Sequence, residues 1–212
     1  MAVSMEYNDK QLAIMDTAEK LFAQNGFSGT SVRDIAQEAG VNVAMISYYF
    51  GSKEKLMEIL FEQKSNKLTL MVETLIQDEG LSYLQKVYTL IDDYVERFVS
   101  QQAFHKIMIR EQVTENGTVL AKHILALKKR NLSSIKKLIS GGQKNGEFKK
   151  NIDIVMMMAT LVGTISQVIT SQCYYREVSN LETMDDADFK KHIQKKLNIH
   201  LKHLFKAVLT NE

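Results

Sequence analysis

The stretch Thr30–Lys53, TSVRDIAQEAGVNVAMISYYFGSK, decides the fold. It reads as two short helices separated by Gly40-Val41-Asn42. Ser31 followed by Asp34 resembles a capping box, with Asp in place of the usual Glu, so the first helix starts at Thr30 or Ser31. Val32, Ile35, Ala36 and Ala39 line one face of it, and Gly40, free to take a positive φ, ends it. Asn42 caps the next helix at once, and that helix runs to about Tyr49. Met45 or Ile46 turns inward with Phe50, leaving Val43, Ala44, Ser47 and Tyr48 outside. These are the dimensions of a helix-turn-helix.

The outward face has an unusual make-up for a solvated helix. Small side chains let a helix sit deep in a DNA major groove, and their methyl groups can meet thymine methyls. The hydroxyls of Ser47, Tyr48 and Tyr49 can bond base edges or phosphates. Thr30, Ser31 and the free amides at that helix start suit a phosphate. Lys53, in the first turn of the helix after Gly51-Ser52, opposes the macrodipole preference, and a phosphate partner would account for it. On the residues alone, the other reading stays open: Tyr48 and Tyr49 as ordinary aromatics of a small helical core.

Working outward, Asn8 or Asp9 caps a helix with Ile14, Met15, Ala18, Leu21 and Phe22 at helical spacing, stopped by Asn25-Gly26. Downstream, a long linking helix over 53–78 ends near Asp78-Glu79-Gly80. Helices are expected after it at about 81–101, 103–114, 118–141, 152–176 and 186–209. No segment alternates with period two, so no strand is placed. Proline is absent, as suits long helices with short links. The expected fold is all-α: an N-terminal three-helix helix-turn-helix domain at 1–52 and a helical ligand-binding and dimerisation domain at 53–212.

Composition excludes several classes. The single cysteine, Cys173, permits no intramolecular disulfide and no Cys-rich zinc site. The start MAVSMEYNDK lacks the pattern of a secretory signal, and the apolar run Ile154–Ile169 is too short and too rich in Thr, Ser and Gln to span a bilayer. A soluble, cytoplasmic protein without a membrane association is expected. Bulk charge does not advertise nucleic acid. Residues 1–60 carry five basic side chains against eight acidic ones, so any DNA contact depends on where the polar groups point.

The motifs of Ala18–Phe61 resemble the DNA-binding domain of the tetracycline-repressor (TetR/AcrR) family. The marks are A-x-x-L-F at Ala18–Phe22, Gly26-Phe27, Thr30-Ser31-Val32, Ile35-Ala36, Ala39-Gly40-Val41, Y-x-F at Tyr48–Phe50 and S-K-E-x-L at Ser52–Leu56. The resemblance implies a regulator of transcription that binds double-stranded DNA as a homodimer, and a repressor released by a small-molecule effector. It implies phosphate contacts by Thr30, Tyr49 and Lys53, and base contacts by Val43, Ala44, Ser47 and Tyr48. Arg33 stands where some members place a base-reading side chain. The chain departs from many relatives in having Tyr49 for His and Gly51 for Pro, which leaves the link to the next helix less rigid. The alternative is a helical carrier or interaction protein whose N-terminal domain no longer reads DNA, favoured only by the acidic balance of that domain.

The resemblance also implies a dimer formed by the last two long helices. Ala159, Thr160, Gly163 and Ser166 would permit close helix approach, and Phe189, Ile193, Leu197, Leu201, Leu204 and Val208 form a stripe. An effector pocket between the helices of about 81–176 is expected to be mostly hydrophobic, with Tyr88, Phe98, Phe104, His105, Met108, Met157, Gln167 and Tyr174 as candidate lining. No cofactor and no metal is expected; His192, His200 and His203 have no carboxylate beside them in the pattern and read as a solvated face. The basic run over 120–150 reads as an exposed face, with an anionic ligand or long-range attraction to DNA as the lesser reading. No enzyme is expected. Tyr49-x-x-x-Lys53 lacks the Gly-rich turn of a dehydrogenase, and Ser140–Gly146 reads as a helix cap and turn.

Overall fold

Ten α-helices account for the regular structure in a computed structural model that describes residues 7–114 and 119–211. In chain order they are α1 (Asp9–Asn25), α2 (Val32–Glu38), α3 (Val43–Phe50), α4 (Lys53–Gln77), α5 (Tyr83–Ser100), α6 (Gln102–Thr114), α7 (Val119–Lys144), α8 (Ile154–Thr170), α9 (Gln172–Val178) and α10 (Asp186–Leu209). The all-α class holds, with no strand among the described residues. Thr118, the expected first residue of the seventh helix, lies outside them.

The chain divides into two compact units, one of residues 1–67 with 103–128 and one of 68–102 with 129–212. This differs from a cut at 52/53. Leu56, Met57, Leu60 and Phe61 of α4 are buried with Ile14, Phe22, Ile35, Ile46 and Phe50 in the core of the first unit. Phe104 and Ile107 of α6 and Ile124 and Leu127 of α7 join them. Apolar side chains of α4, α6 and α7 thus add to the core that α1, α2 and α3 build.

In the second unit, α5 and α10 pack along one another through Val87, Leu90, Ile91, Tyr94, Val95 and Phe98 against Ile193, Leu197, Leu201 and Phe205. Polar pairs flank this seam: Lys202 Nζ to Asp92 at 2.6 Å and Gln194 Nε2 to Glu96 at 2.6 Å. The loop after α7 ties two helix ends by charge. Glu147 accepts from the backbone amides of Tyr83 and Leu84 at the positive start of α5, both at 3.2 Å. Lys149 Nζ donates to Ala207 O near the negative end of α10, at 2.9 Å.

Two elements differ from the sequence reading. The expected helix at 152–176 breaks at Ser171, and α8 and α9 meet at 78°. Thr170 Oγ1 donates to Ser166 O at 2.7 Å and Ser171 Oγ donates to Gln167 O, so side chains compete for the ladder's carbonyls. Helix α7 runs on to Lys144 through Gly141 and Gly142, and the turn comes only at Gly146, with φ +81°. Those two glycines serve packing. A Cβ on either would collide with the ring of Tyr83 or Phe148.

Candidate nucleic-acid interface

The reading helix is held by short-range chemistry that the local sequence supplies. Ser31 Oγ accepts from the Asp34 amide at 3.1 Å, and Asp34 Oδ2 accepts from the Ser31 amide at 2.7 Å, completing the capping box of α2. Gly40 takes φ +64°, a conformation costly for residues with a Cβ, and Val41 N donates back to Ala36 O at 2.9 Å. Asn42 Oδ1 then accepts from Ala44 N at 2.9 Å and starts α3. Ile46 and Phe50 fill the core, while Val43, Ala44, Ser47 and Tyr48 stand exposed, Tyr48 at 84%. Arg33 on α2 is exposed as well. Tyr49 is half-buried, its ring edge-on to those of Tyr48 (5.2 Å) and Phe50 (6.2 Å).

Three expected phosphate ligands sit differently from what the spacing suggested. Thr30 is 1% exposed, and its hydroxyl donates to Gly26 O at 2.8 Å. Its side chain closes the α1–α2 turn from inside, and a phosphate cannot reach it. Ser31 is exposed, but the carboxylate of Asp34 shares its helix start. The Ser31 amide bonded to Asp34 holds that carboxyl below the usual range, so it is anionic where an anion was expected. Lys53 is half-buried. Its Nζ donates to the carbonyls of Phe27 and Thr30, both at 2.8 Å, and lies 4.3 Å from the centre of the Phe27 ring. Two carbonyls and a ring face offset the unfavourable position at the start of α4, with no phosphate needed.

Sequence reasoning missed the side chains that hold this head together. Lys64 pairs with Glu19 at 3.1 Å, joining α4 to α1. The Arg110 guanidinium of α6 lies against Gly26, within 3.0 Å of where a Cβ would stand. Glycine is required at 26 for φ +81°, and a Cβ there would also displace the Arg110 guanidinium. Only the Asn25-Gly26 stop was visible in the sequence; partners tens of residues away leave no local pattern.

The candidate effector residues fall in both units. Phe104, His105 and Met108 belong to the first unit, where Phe104 stacks near Phe61 at 5.0 Å. Tyr88, Phe98, Met157, Gln167 and Tyr174 belong to the second. There Phe98 and Met157 are buried in the core, Tyr88 is half-buried beneath Lys202, and Gln167 is exposed. Tyr174 is 66% exposed on α9. Helical spacing places residues on a face, but it does not tell which face a neighbour covers.

Known proteins share both the motifs and the architecture. Residues 14–60 match the family model of bacterial regulatory proteins, tetR family, and residues 61–194 match that of the YsiA-like protein C-terminal region. The chain belongs to the tetR family. Tet-repressor-like regulators are DNA-binding proteins of transcription and not enzymes, and this member is one of them. It is 24% identical over 162 residues to a fatty acid metabolism regulator protein of Bacillus subtilis, covering 76% of this chain and 82% of that one. It is 30% identical over 179 residues to the transcriptional repressor NicS of Pseudomonas putida, covering 81% and 76%. In fold it is similar to the ketosteroid regulator KstR2 of Mycobacterium tuberculosis, with TM-score 0.73 and 18% identity over 99% of this chain and 100% of that one. It is also similar to FadR of Bacillus subtilis in complex with stearoyl-CoA, with TM-score 0.61 and 23% identity over 88% and 96%. No single helix among the described residues is long and apolar enough to cross a membrane.

Proposed function

We propose that this tetR-family regulator is a repressor that binds a palindromic operator as a homodimer and leaves it when a lipophilic effector binds. The observation that carries the reading is the outward face of α3: Val43, Ala44, Ser47 and Tyr48 exposed on a helix whose Ile46 and Phe50 are locked in the core. A rigid helix with a small-residue face fits the major groove, and two of them on a two-fold dimer fit two half-sites one helical turn apart. Arg33 and Ser47 then contribute to base choice, and Tyr49 and Lys53 to backbone contact. Site selection from random duplexes tests this. Exchange of Ser47 or Arg33 changes preference at defined positions by about 1–3 kcal/mol per base pair; an unchanged consensus in both variants would falsify the base-reading role.

For the effector, the supporting observation is the apolar interior of the second unit, where Phe98 and Met157 lie with Tyr88 at the margin. The names of two relatives, a fatty acid regulator and a FadR bound to stearoyl-CoA, favour a fatty acyl compound. Stearoyl-CoA at a hundred times its dissociation constant stabilises the fold by about 2.7 kcal/mol and weakens operator binding reciprocally. Stabilisation without loss of operator affinity removes the regulatory role, and no stabilisation removes the acyl class.

A further inference from the structure

Helix α7 contains seven Lys and Arg residues and no Asp or Glu. In its second-unit part, Lys129, Arg130, Lys136, Lys137 and Lys144 are all exposed, while Ile135, Leu138 and Ile139 are buried beneath them. At about 100° per residue these five fall within roughly 120° of arc, and Lys129 to Lys144 spans about 22 Å of helix. Among the described residues, no carboxylate ion-pairs with Lys129, Lys136, Lys137 or Lys144. The acidic side chains of this unit lie on other elements, such as Asp92, Asp93 and Glu96 on α5 and Asp185, Asp186 and Asp188 at the start of α10. The result is a row of one sign in which Lys129, Lys136, Lys137 and Lys144 have no ion-pair partner among the described residues.

The form of the row selects its partner. Its charges are strung along a helix and do not converge, so it is no pocket for a small anion. Between them the exposed or half-buried side chains are Ser133 and Ser140, so the face lacks the apolar residues that a membrane-surface helix inserts. A linear polyanion matches it: duplex DNA presents a charge about every 1.7 Å along its axis. The reading head cannot supply that attraction in bulk, since residues 1–60 hold five basic against eight acidic side chains. We infer that the α7 face of Lys129, Lys136, Lys137 and Lys144 is a second, sequence-indifferent contact for the backbone of duplex DNA, distinct from the operator-reading face of α3. It binds by counterion release and raises the concentration of the regulator on DNA without choosing a sequence.

The test compares the full chain with Lys129→Gln/Lys136→Gln/Lys137→Gln, using a random-sequence duplex titrated over a range of salt by fluorescence anisotropy. Glutamine keeps helix propensity, and the thermal midpoint serves as the folding check. Affinity for this duplex falls, and the slope of log K against log salt shrinks by about 0.9 for each phosphate no longer neutralised, up to about 2.7 per protomer. The site-selection consensus stays as in the parent, and a triple Lys→Arg variant retains the slope. Lys190→Gln/Lys191→Gln/Lys195→Gln on α10 lowers net charge equally and leaves the slope near that of the parent. Equal losses from both Gln triples assign the effect to bulk charge and overturn the inference. So does an unchanged slope in the α7 variant, or a loss confined to phosphatidylglycerol vesicles.

Discussion

Lys53 has a structural role in the head and, on the proposed reading, a second one on the DNA backbone. Its ammonium already bonds two loop carbonyls, yet an ammonium has three donors and this one is only half-buried. Three substitutions separate the contributions. Thr30→Val removes the hydroxyl bonded to Gly26 O and leaves that carbonyl short of a donor; the head loses about 1–3 kcal/mol in urea denaturation, and the salt slope of operator binding is unchanged. Tyr49→Phe weakens binding to all sequences alike, with the slope also unchanged, because a neutral hydroxyl displaces no counterion. Lys53→Ala lowers both stability and slope, the latter by about 0.9 per protomer. A Lys53→Ala protein with the parent's slope would confine Lys53 to the structural role.

Helix ends set the second scale. Asp185 caps α10 by accepting from the amides of Ala187 (2.9 Å) and Asp188 (3.0 Å). The Asp188 amide, foremost, holds its carboxyl below the usual range. Because the folded pKa is depressed, the stabilisation is complete above the unfolded value of about 3.9 and is lost as pH falls through the folded one. Asp34 behaves in the same way at α2. Asp185→Asn, which preserves the cap without the charge, therefore changes stability little at neutral pH and flattens the loss below about pH 4. Thermal midpoints measured from pH 7 to 3 check this. A variant whose acid limb superimposes on the parent's would show that the cap does not couple to the proton. The same scale holds the failures of pattern reading. The break at Ser171 falls where two adjacent hydroxyls turn onto the helix's own carbonyls, and the apolar run of Ile154–Ile169 conceals it.

Across the whole molecule, the second unit leaves one helix face uncovered. Val155, Met156, Ala159 and Gly163 of α8 are exposed or half-buried, Met156 at 61%, and a Cβ at Gly163 would meet open space. Ile199 and Val208 of α10 are exposed too. A face of small and apolar side chains is suited to cover by a second copy, and a stable dimer buries at least about 1,000 Å². Gly163→Lys and Ala159→Lys each place a charge on that face, so sedimentation is expected to find monomers with weak operator binding. An intact dimer in both variants would move the interface to another surface.

What the amino-acid order determined by itself was local. The capping box of Ser31 and Asp34, the turn at Gly40, the cap at Asn42 and the inward Phe50 are interactions among residues a few positions apart, so spacing and propensity disclose them, while the choice of Ile46 over Met45 as its inward companion came from the packed structure. The family motifs lie in the same stretch for that reason. Only the tertiary structure decided what the turns and helices touch. It buried Thr30, spent Lys53 on carbonyls more than twenty residues earlier and set Arg110 against Gly26. Burial depends on which surfaces meet, and helical periodicity names a face without naming the partner that covers it.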